Sequence, residues 1–396
     1  VARKLGVKDL TNLADRRVFC RVDFNVPLDA GRVQDDARMR ASLPTIRFLV
    51  EAGAKVVLAS HLGRPKGKRK PEFSLGPVAR HLATLLAAPV AFAEDCIGAP
   101  AQLAVARMRG GDVALLENLR FHPEEEANDP GFARELAASA DLYVNDAFGS
   151  AHRAHASTAG VPALVKPAAA GLLMQDELVQ LGRLLDRPDR PFLAILGGAK
   201  VSDKIELIDN LLPHVDVFLI GGAMAYTFLK AGGVPVGRSL VEADRLDLAR
   251  AVRARVEAAG KTMTLPVDHV AAVPGDDANV RTTEGVALGD DEAGMDIGPK
   301  TVTEFTRAIA AAKTILWNGP VGRFEVAAFA TGSRRVAEAL AASRAVTVVG
   351  GGDTGAAVHA FGVGSQMTHV STGGGASLEF LSGLPLPGVV ALDDAP

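Results

Sequence analysis

Short apolar runs alternate with longer stretches of helical period along this chain. Runs at Arg16–Phe24, Ala54–Ser60, Asp112–Glu117 and Asp141–Asp146 fall in the first half. Pro191–Gly198, Val215–Gly222, Thr262–Asp268, Lys313–Gly319, Ala345–Gly351 and His369–Gly374 fall in the second. Most are apolar without alternation, as in FLAIL and VTVV. Strands covered by helices on both faces read this way, and a parallel sheet needs that cover. Ala37–Ala52 and Leu240–Ala259 are among the helical stretches between them. Strand, helix, strand, repeated, predicts an α/β fold.

Gly171–Asp186 carries Leu172, Leu173, Leu178, Leu181, Leu184 and Leu185 at a helical spacing, and Pro188 and Pro191 close it. Ten strands would overfill one open sheet, and 396 residues exceed one ordinary domain of roughly 100–200 residues. The expectation is two domains of similar size, each a mostly parallel, Rossmann-like sheet flanked by helices. They would span residues 1–170 and 188–383, with 171–187 as a connecting helix. The 43 basic and 46 acidic residues leave a net charge of −3, which argues against a dedicated nucleic-acid binder. Two cysteines, Cys20 and Cys96, cannot make a disulfide scaffold. No apolar run is long enough to span a membrane and the start shows no signal region.

In open α/β sheets ligands bind beyond the carboxyl ends of the strands. The first-half strands end in Asp23-Phe24-Asn25, in Ser60-His61 followed by Arg64, in Glu117-Asn118 followed by Arg120, and in Asn145-Asp146 followed by Arg153. Arg38 opens the helix after the first strand. Four arginines at one sheet edge suit a small polyanion, because the planar guanidinium matches phosphate and carboxylate oxygens. The second half instead gathers glycines, at Gly197–Ala199, Gly350–Gly352 and Gly373–Gly375. Such turns let backbone N–H groups and a helix start meet phosphate. Lys200 and Lys204 would share a face if their segment were helical. Asp353, after three glycines, reads either as a helix N-cap or as a carboxylate holding Mg²⁺ against nucleotide phosphates. One half shaped for a small anion and one for a nucleotide, with no evident nucleophile, points to phosphoryl transfer.

Other signals are weaker. Gly350, Gly352 and Gly355 satisfy the G-x-G-x-x-G pattern between a strand and a helix, so an NAD(P)-dependent dehydrogenase is the alternative. The carboxylate expected about 20 residues on is missing. The basic string Arg64–Lys70 lacks the interleaved aromatics of a nucleic-acid site. His152 and His155 have no partners that would complete a zinc set.

Taken in order, RVDFNVPL (Arg21–Leu28), SHLGRPKG (Ser60–Gly67), LENLRF (Leu116–Phe121) and NDAFGSAHRAHAST (Asn145–Thr158) resemble phosphoglycerate kinases. So do GGAKVSDK (Gly197–Lys204), GMDIGP (Gly294–Pro299), WNGPVGRFE (Trp317–Glu325), GGGDT and STGGGASLE. The resemblance implies reversible transfer between 1,3-bisphosphoglycerate and MgADP, with hinge-bending closure of the domains. It implies that Asp23, Asn25, Arg38, His61, Arg64, Arg120 and Arg153 hold the glycerate substrate in the N-terminal domain. Arg38 and Lys200 would stabilise the phosphoryl group in flight, with the helix start at Gly373, Gly374 and Gly375. Lys204, Gly294, Glu325, Gly351, Gly352, Asp353 and Thr354 would bind the nucleotide, Glu325 at the ribose and Asp353 beside Mg²⁺. Segment 384–396 would pack back on the N-terminal domain. The implied protein is a cytoplasmic monomer of glycolysis that acts on small molecules, with no nucleic-acid or membrane partner. Arg323 stands where an apolar residue is expected.

Overall fold

The computed structural model describes residues 3–396. The chain divides into two compact units, one running to Val179 and taking back Pro385–Pro396, the other Gln180–Leu384. The division falls inside helix α2 (Leu172–Asp186).

In the first unit β1 (Arg17–Arg21), β2 (Lys55–Ala59), β3 (Val90–Ala93), β4 (Val113–Leu116), β5 (Leu142–Asn145) and β6 (Ala168–Ala170) form one sheet. Its order is β3-β4-β2-β1-β5-β6, and every pair is parallel. Consecutive residues of the central strands, such as Phe19 with Cys20 and Val57 with Leu58, are fully buried. That is why these strands read as unbroken apolar runs. Helix α1 (Ala37–Glu51) buries Met39, Leu43, Ile46 and Leu49 from one face, each worth about 1.5–3 kcal/mol of transfer free energy when fully buried.

Two strands of this sheet were not evident in the pattern. β3 is an edge strand and only partly covered. β6 is three alanines, poor strand formers, and its neighbours impose its conformation. It pairs with β5, bridges to Gly6, and accepts at Ala168 the N–H of Asp393 (2.9 Å). The returning C-terminal segment adds Gly388 N–H to Ala151 (2.8 Å), and Leu5 donates to Asp393 (2.8 Å).

In the second unit β7 (Phe192–Leu196), β8 (Val217–Ile220), β9 (Thr262–Thr264), β13 (Thr314–Asn318), β14 (Val346–Gly350) and β15 (His369–Val370) form a second parallel sheet. Its order is β9-β8-β7-β13-β14-β15. This is the doubly wound order, with the reversal between β7 and β13. A separate antiparallel sheet of β10 (His269–Ala272), β11 (Val280–Thr282) and β12 (Ala293–Ile297) lies between β9 and β13 in the chain. The sequence pattern did not reveal it, because its strands are short and β11 is exposed throughout. Helices α3 (Pro299–Ala311), α4 (Thr331–Ala342) and α5 (Gly352–Ala360) follow. Phe305, Ile309, Val336 and Leu340 from α3 and α4 pack with Trp317 of β13. Among the described residues no helix is long and apolar enough to cross a membrane.

Candidate functional site

The first unit gathers four of its seven expected site residues, Asp23, Asn25, Arg38 and Arg120, into one hydrogen-bonded group around Gly63. Asp23 follows β1 and is nearly buried. Its Oδ2 accepts from Arg38 Nη1 at 2.5 Å, and its Oδ1 from the Asn25 N–H at 3.1 Å. Asn25 Oδ1 accepts the Gly63 N–H (2.8 Å), and Arg120 Nη1 donates to the Gly63 carbonyl (2.9 Å). Gly63 adopts φ +62°, and a Cβ there would lie 2.4 Å from the Phe73 ring. Only glycine fits. Arg64, next in the chain, is exposed. Arg153 donates from Nε to His152 Nε2 at 3.2 Å.

His61 shows what this grouping does electrostatically. Its Nδ1 lies 3.1 Å from Arg21 Nη2. A guanidinium only donates, so Nδ1 accepts and any ring proton sits on Nε2. Burial first, then the charges of Arg21, Arg120, Arg153 and Arg38, hold His61 well below the usual histidine range. Burial, then the charges of Arg120, Arg21, Arg153 and His152, lower His155 to about 4. Burial also lowers Arg120 to about 10. Clustered cations that perturb one another in this way mark functional sites more often than structural ones.

Arg21 was not expected at the site, yet it is fully buried at its base. It donates from Nε to Ser157 Oγ (2.9 Å) and from Nη1 to the Val22 carbonyl. Ser157 in turn donates through Oγ (2.5 Å) and N–H (2.9 Å) to the buried Glu125. Asn118 was also missed. It accepts the N–H groups of Leu62 and Arg120 and donates to the carbonyls of Leu62 and Phe73. The signal for both was present: a polar residue inside or just after an apolar strand needs a partner.

In the second unit a cavity of about 440 Å³ opens at the carboxyl ends of the strands. Residues following β7 (Gly198, Ala199), β8 (Gly222, Ala223), β13 (Pro320–Arg323, Glu325) and β14 (Asp353) line it, with Tyr226, Gly294 and Met295. This is the switch point between β7 and β13, where doubly wound sheets bind ligands. Gly294 admits nothing larger, since a Cβ there would lie 1.9 Å from Tyr226 Oη. Glu325 and Asp353 are exposed carboxylates.

Several sequence expectations change here. Gly197 and Gly198 do not offer free N–H groups to a ligand. They donate to the carbonyls of Asn318 (3.0 Å) and Pro320 (3.1 Å), and Gly222 donates to Val321 (2.9 Å). A Cβ at Gly197 would stand 2.1 Å from the Pro320 oxygen. These glycines therefore let neighbouring loops touch. Lys200 and Lys204 do not share a helix face: Lys200 is exposed in a loop, and Lys204 ends the 3₁₀ turn Ser202–Lys204. Lys204 donates to Asn318 Oδ1, and burial lowers its pKa. Asp353 is not the N-cap of α5. Gly351 holds that place at φ 92°, and Asp353 is the second helical residue. Thr354 is buried, its hydroxyl accepting the Gly319 N–H at 2.7 Å. Gly373 and Gly374 precede the helix Gly375–Leu381, which Gly375 opens, and none of the three lines the cavity. The Gly350/Gly352/Gly355 pattern follows β14, the fifth strand of its sheet, whereas a dinucleotide fingerprint follows the first. The dehydrogenase alternative loses its support.

Asp353 suits a hard cation: an exposed carboxylate on the cavity wall, able to share Mg²⁺ with phosphate oxygens and water. Elsewhere, Asp95, Cys96 and His122 converge. Asp95 Oδ1 there accepts from His122 Nε2 and from the Cys96 N–H (2.7 Å each), and Arg69 lies 3.6 Å from Oδ2. These contacts already account for the grouping.

Comparisons with known proteins bear on the family and the fold. The family model described as phosphoglycerate kinase matches residues 7–384. A phosphoglycerate kinase of Anaeromyxobacter sp. (strain K) is 57% identical over 390 residues, covering 98% of each chain. One from Koribacter versatilis is 55% identical over 402 residues, covering 98% of this chain and 99% of the relative. The solved phosphoglycerate kinase structure from Coxiella burnetii superposes with a TM-score of 0.89 at 42% identity, covering 98% of both chains. That from Pyrococcus horikoshii gives 0.85 at 34% identity, also covering 98% of both.

Proposed function

Because the chain belongs to the phosphoglycerate kinase family, we propose that it transfers a phosphoryl group reversibly from 1,3-bisphosphoglycerate to MgADP, giving 3-phosphoglycerate and MgATP. The attacking oxygen belongs to the ADP β-phosphate and the leaving group is a carboxylate. Both are ionised at neutral pH, so no proton must move and no general base is required. What the reaction needs is alignment and compensation of negative charge.

The first unit holds the glycerate substrate. His61, Arg64, Arg120 and Arg153 receive its phosphate and carboxylate oxygens, while Asp23 and Asn25 accept from and orient its hydroxyl. Arg38 and Lys200 stabilise charge on the phosphoryl group in flight, joined by the N–H groups of Gly374 and Gly375; the Gly373 N–H already donates to Ser371 Oγ (3.1 Å). Asp23 accepts from Arg38 Nη1 and so fixes the guanidinium while its other N–H groups are left for phosphoryl oxygens. In the second unit, Gly294 gives the base a flat wall, Glu325 takes ribose hydroxyls, and Lys204 with Gly351 and Gly352 meets phosphate. The first N–H groups of α5 are the orphan donors that every helix start leaves. Thr354 acts through Gly319. Asp353 would hold Mg²⁺, which supplies charge neutralisation on the nucleotide phosphates. Transfer requires both reacting oxygens in one water-excluded space, which is what closure on a hinge along Leu172–Asp186 supplies. We place the protein in the cytoplasm as a glycolytic monomer acting on small molecules.

The observation that carries this reading is His61 held neutral among four arginines: a site that crowds cations this closely is built for a polyanion. The test is ATP formation from 1,3-bisphosphoglycerate and ADP by the purified protein. Turnover on the order of 1–100 per second is expected for a kinase. A folded sample that makes no ATP overturns it.

A further inference from the structure

Asp296 lies in β12 beside Gly294 and Met295, which line the cavity, but is not itself exposed there. Its side chain is 1% exposed. Oδ1 accepts the Ile297 N–H at 2.9 Å, and Oδ2 accepts the Gly332 N–H at 2.6 Å. Gly332 is the second residue of α4, so this is an orphan donor of a helix start. The carboxylate also presses on two glycines. A Cβ at Gly322 would come within 2.0 Å of Oδ1, and one at Gly332 within 2.3 Å. Gly322 belongs to the cavity wall, and the next residue, Arg323, donates its N–H to the Met295 carbonyl at 2.9 Å. One buried group thus touches β12, the 320–325 wall and the start of α4. Two N–H donors converge on it, so both of its oxygens must accept. An amide of the same shape can satisfy only one.

We propose that Asp296 is a positioning residue for nucleotide binding, fixing the separation of Gly294–Met295 from the 320–325 wall. The inference rests on the reading that ADP occupies this cavity. Calorimetry with ADP on the unaltered protein tests that reading by itself: no binding there refutes the reading. Given binding, Asp296→Asn weakens ADP about tenfold, as an unpaired buried donor loosens the wall. The KM for ADP rises with it, while the KM for its co-substrate 1,3-bisphosphoglycerate and kcat at saturating ADP stay within about twofold. Assays are run at alkaline pH, above the value of about 7 to which burial raises this carboxyl. An unchanged ADP affinity, or a proportional rise in both KM values, overturns the proposal. Should Asp296→Asn fail to fold, Gly322→Ala forces the same contact apart. Selective loss of ADP affinity in that variant supports the proposal, and unaltered ADP affinity overturns it.

Discussion

The arginine cluster of the first unit and the glycine-walled cavity of the second are both proposed to receive anions, and they are assembled from different materials. In the first, the ligand-facing groups are side chains, held by buried polar partners: Asp23 on Arg38, Gly63 on Arg120, Arg21 on His61. In the second, backbone lies close to the cavity because glycine lets one loop touch the next. The first arrangement concentrates charge and tolerates little change of charge. The second concentrates shape and tolerates little change of volume. Substitutions should therefore fail differently in the two units.

The largest effect is expected from Arg38→Ala. Removing a donor aimed at charge that develops during transfer typically costs about 10²–10³ in turnover. Steady-state kinetics should show kcat collapse with a smaller change in the KM for phosphoglycerate. Equal losses in both would make Arg38 a simple binding group. Gly294→Ala comes next, as the purest test of shape. With Tyr226 Oη at 1.9 Å from the added carbon, overpacking of about 1–3 kcal/mol should raise the KM for ADP roughly tenfold or more. The phosphoglycerate KM should not move, and if it does the two sites are not independent in their packing.

A third, smaller effect concerns protons. Because their pKa values are lowered, His61 and His155 remain neutral where an ordinary histidine, near 6.5, takes up a proton. Their imidazole NMR signals should not titrate on acidification from about pH 7 to pH 5, His155 having its midpoint at about 4. Bound phosphoglycerate should raise the His61 pKa, since an anion favours imidazolium. Titration near the ordinary value without ligand would show that the positive field is absent. The smallest effect belongs to Arg323→Ala. Its contact with Asp277 is exposed and 3.4 Å long, a pair worth under about 1 kcal/mol. The KM for ADP should change by less than about twofold.

The strands that sit between helices were legible because burial on both faces writes itself as an apolar run, as in β7 and β14. β6 was not, because three alanines carry no strand preference and the pairing comes from residues distant in sequence. The antiparallel sheet was hidden for a similar reason: β11 is exposed along its whole length. At the sites, arginines placed after strand ends were visible, but their supports were not. Arg21, a charged residue inside an apolar strand, signals the need for a partner, but only the fold brings Ser157 and Glu125 beneath it from far along the chain. The glycines of Gly197–Gly198 were read as phosphate donors, and only folding reveals that their N–H groups already have partners.

The return of Pro385–Pro396 to the first unit has a consequence for the order in which the molecule can be made. Asp393 supplies the N–H that Ala168 accepts and the carbonyl that Leu5 meets, and Gly388 reaches Ala151. A chain emerging amino end first therefore exposes the whole of Gln180–Leu384 before the first unit can close its last hydrogen bonds. The second unit, contiguous in sequence, depends on no residue beyond Leu384. The first, begun earlier, is finished last.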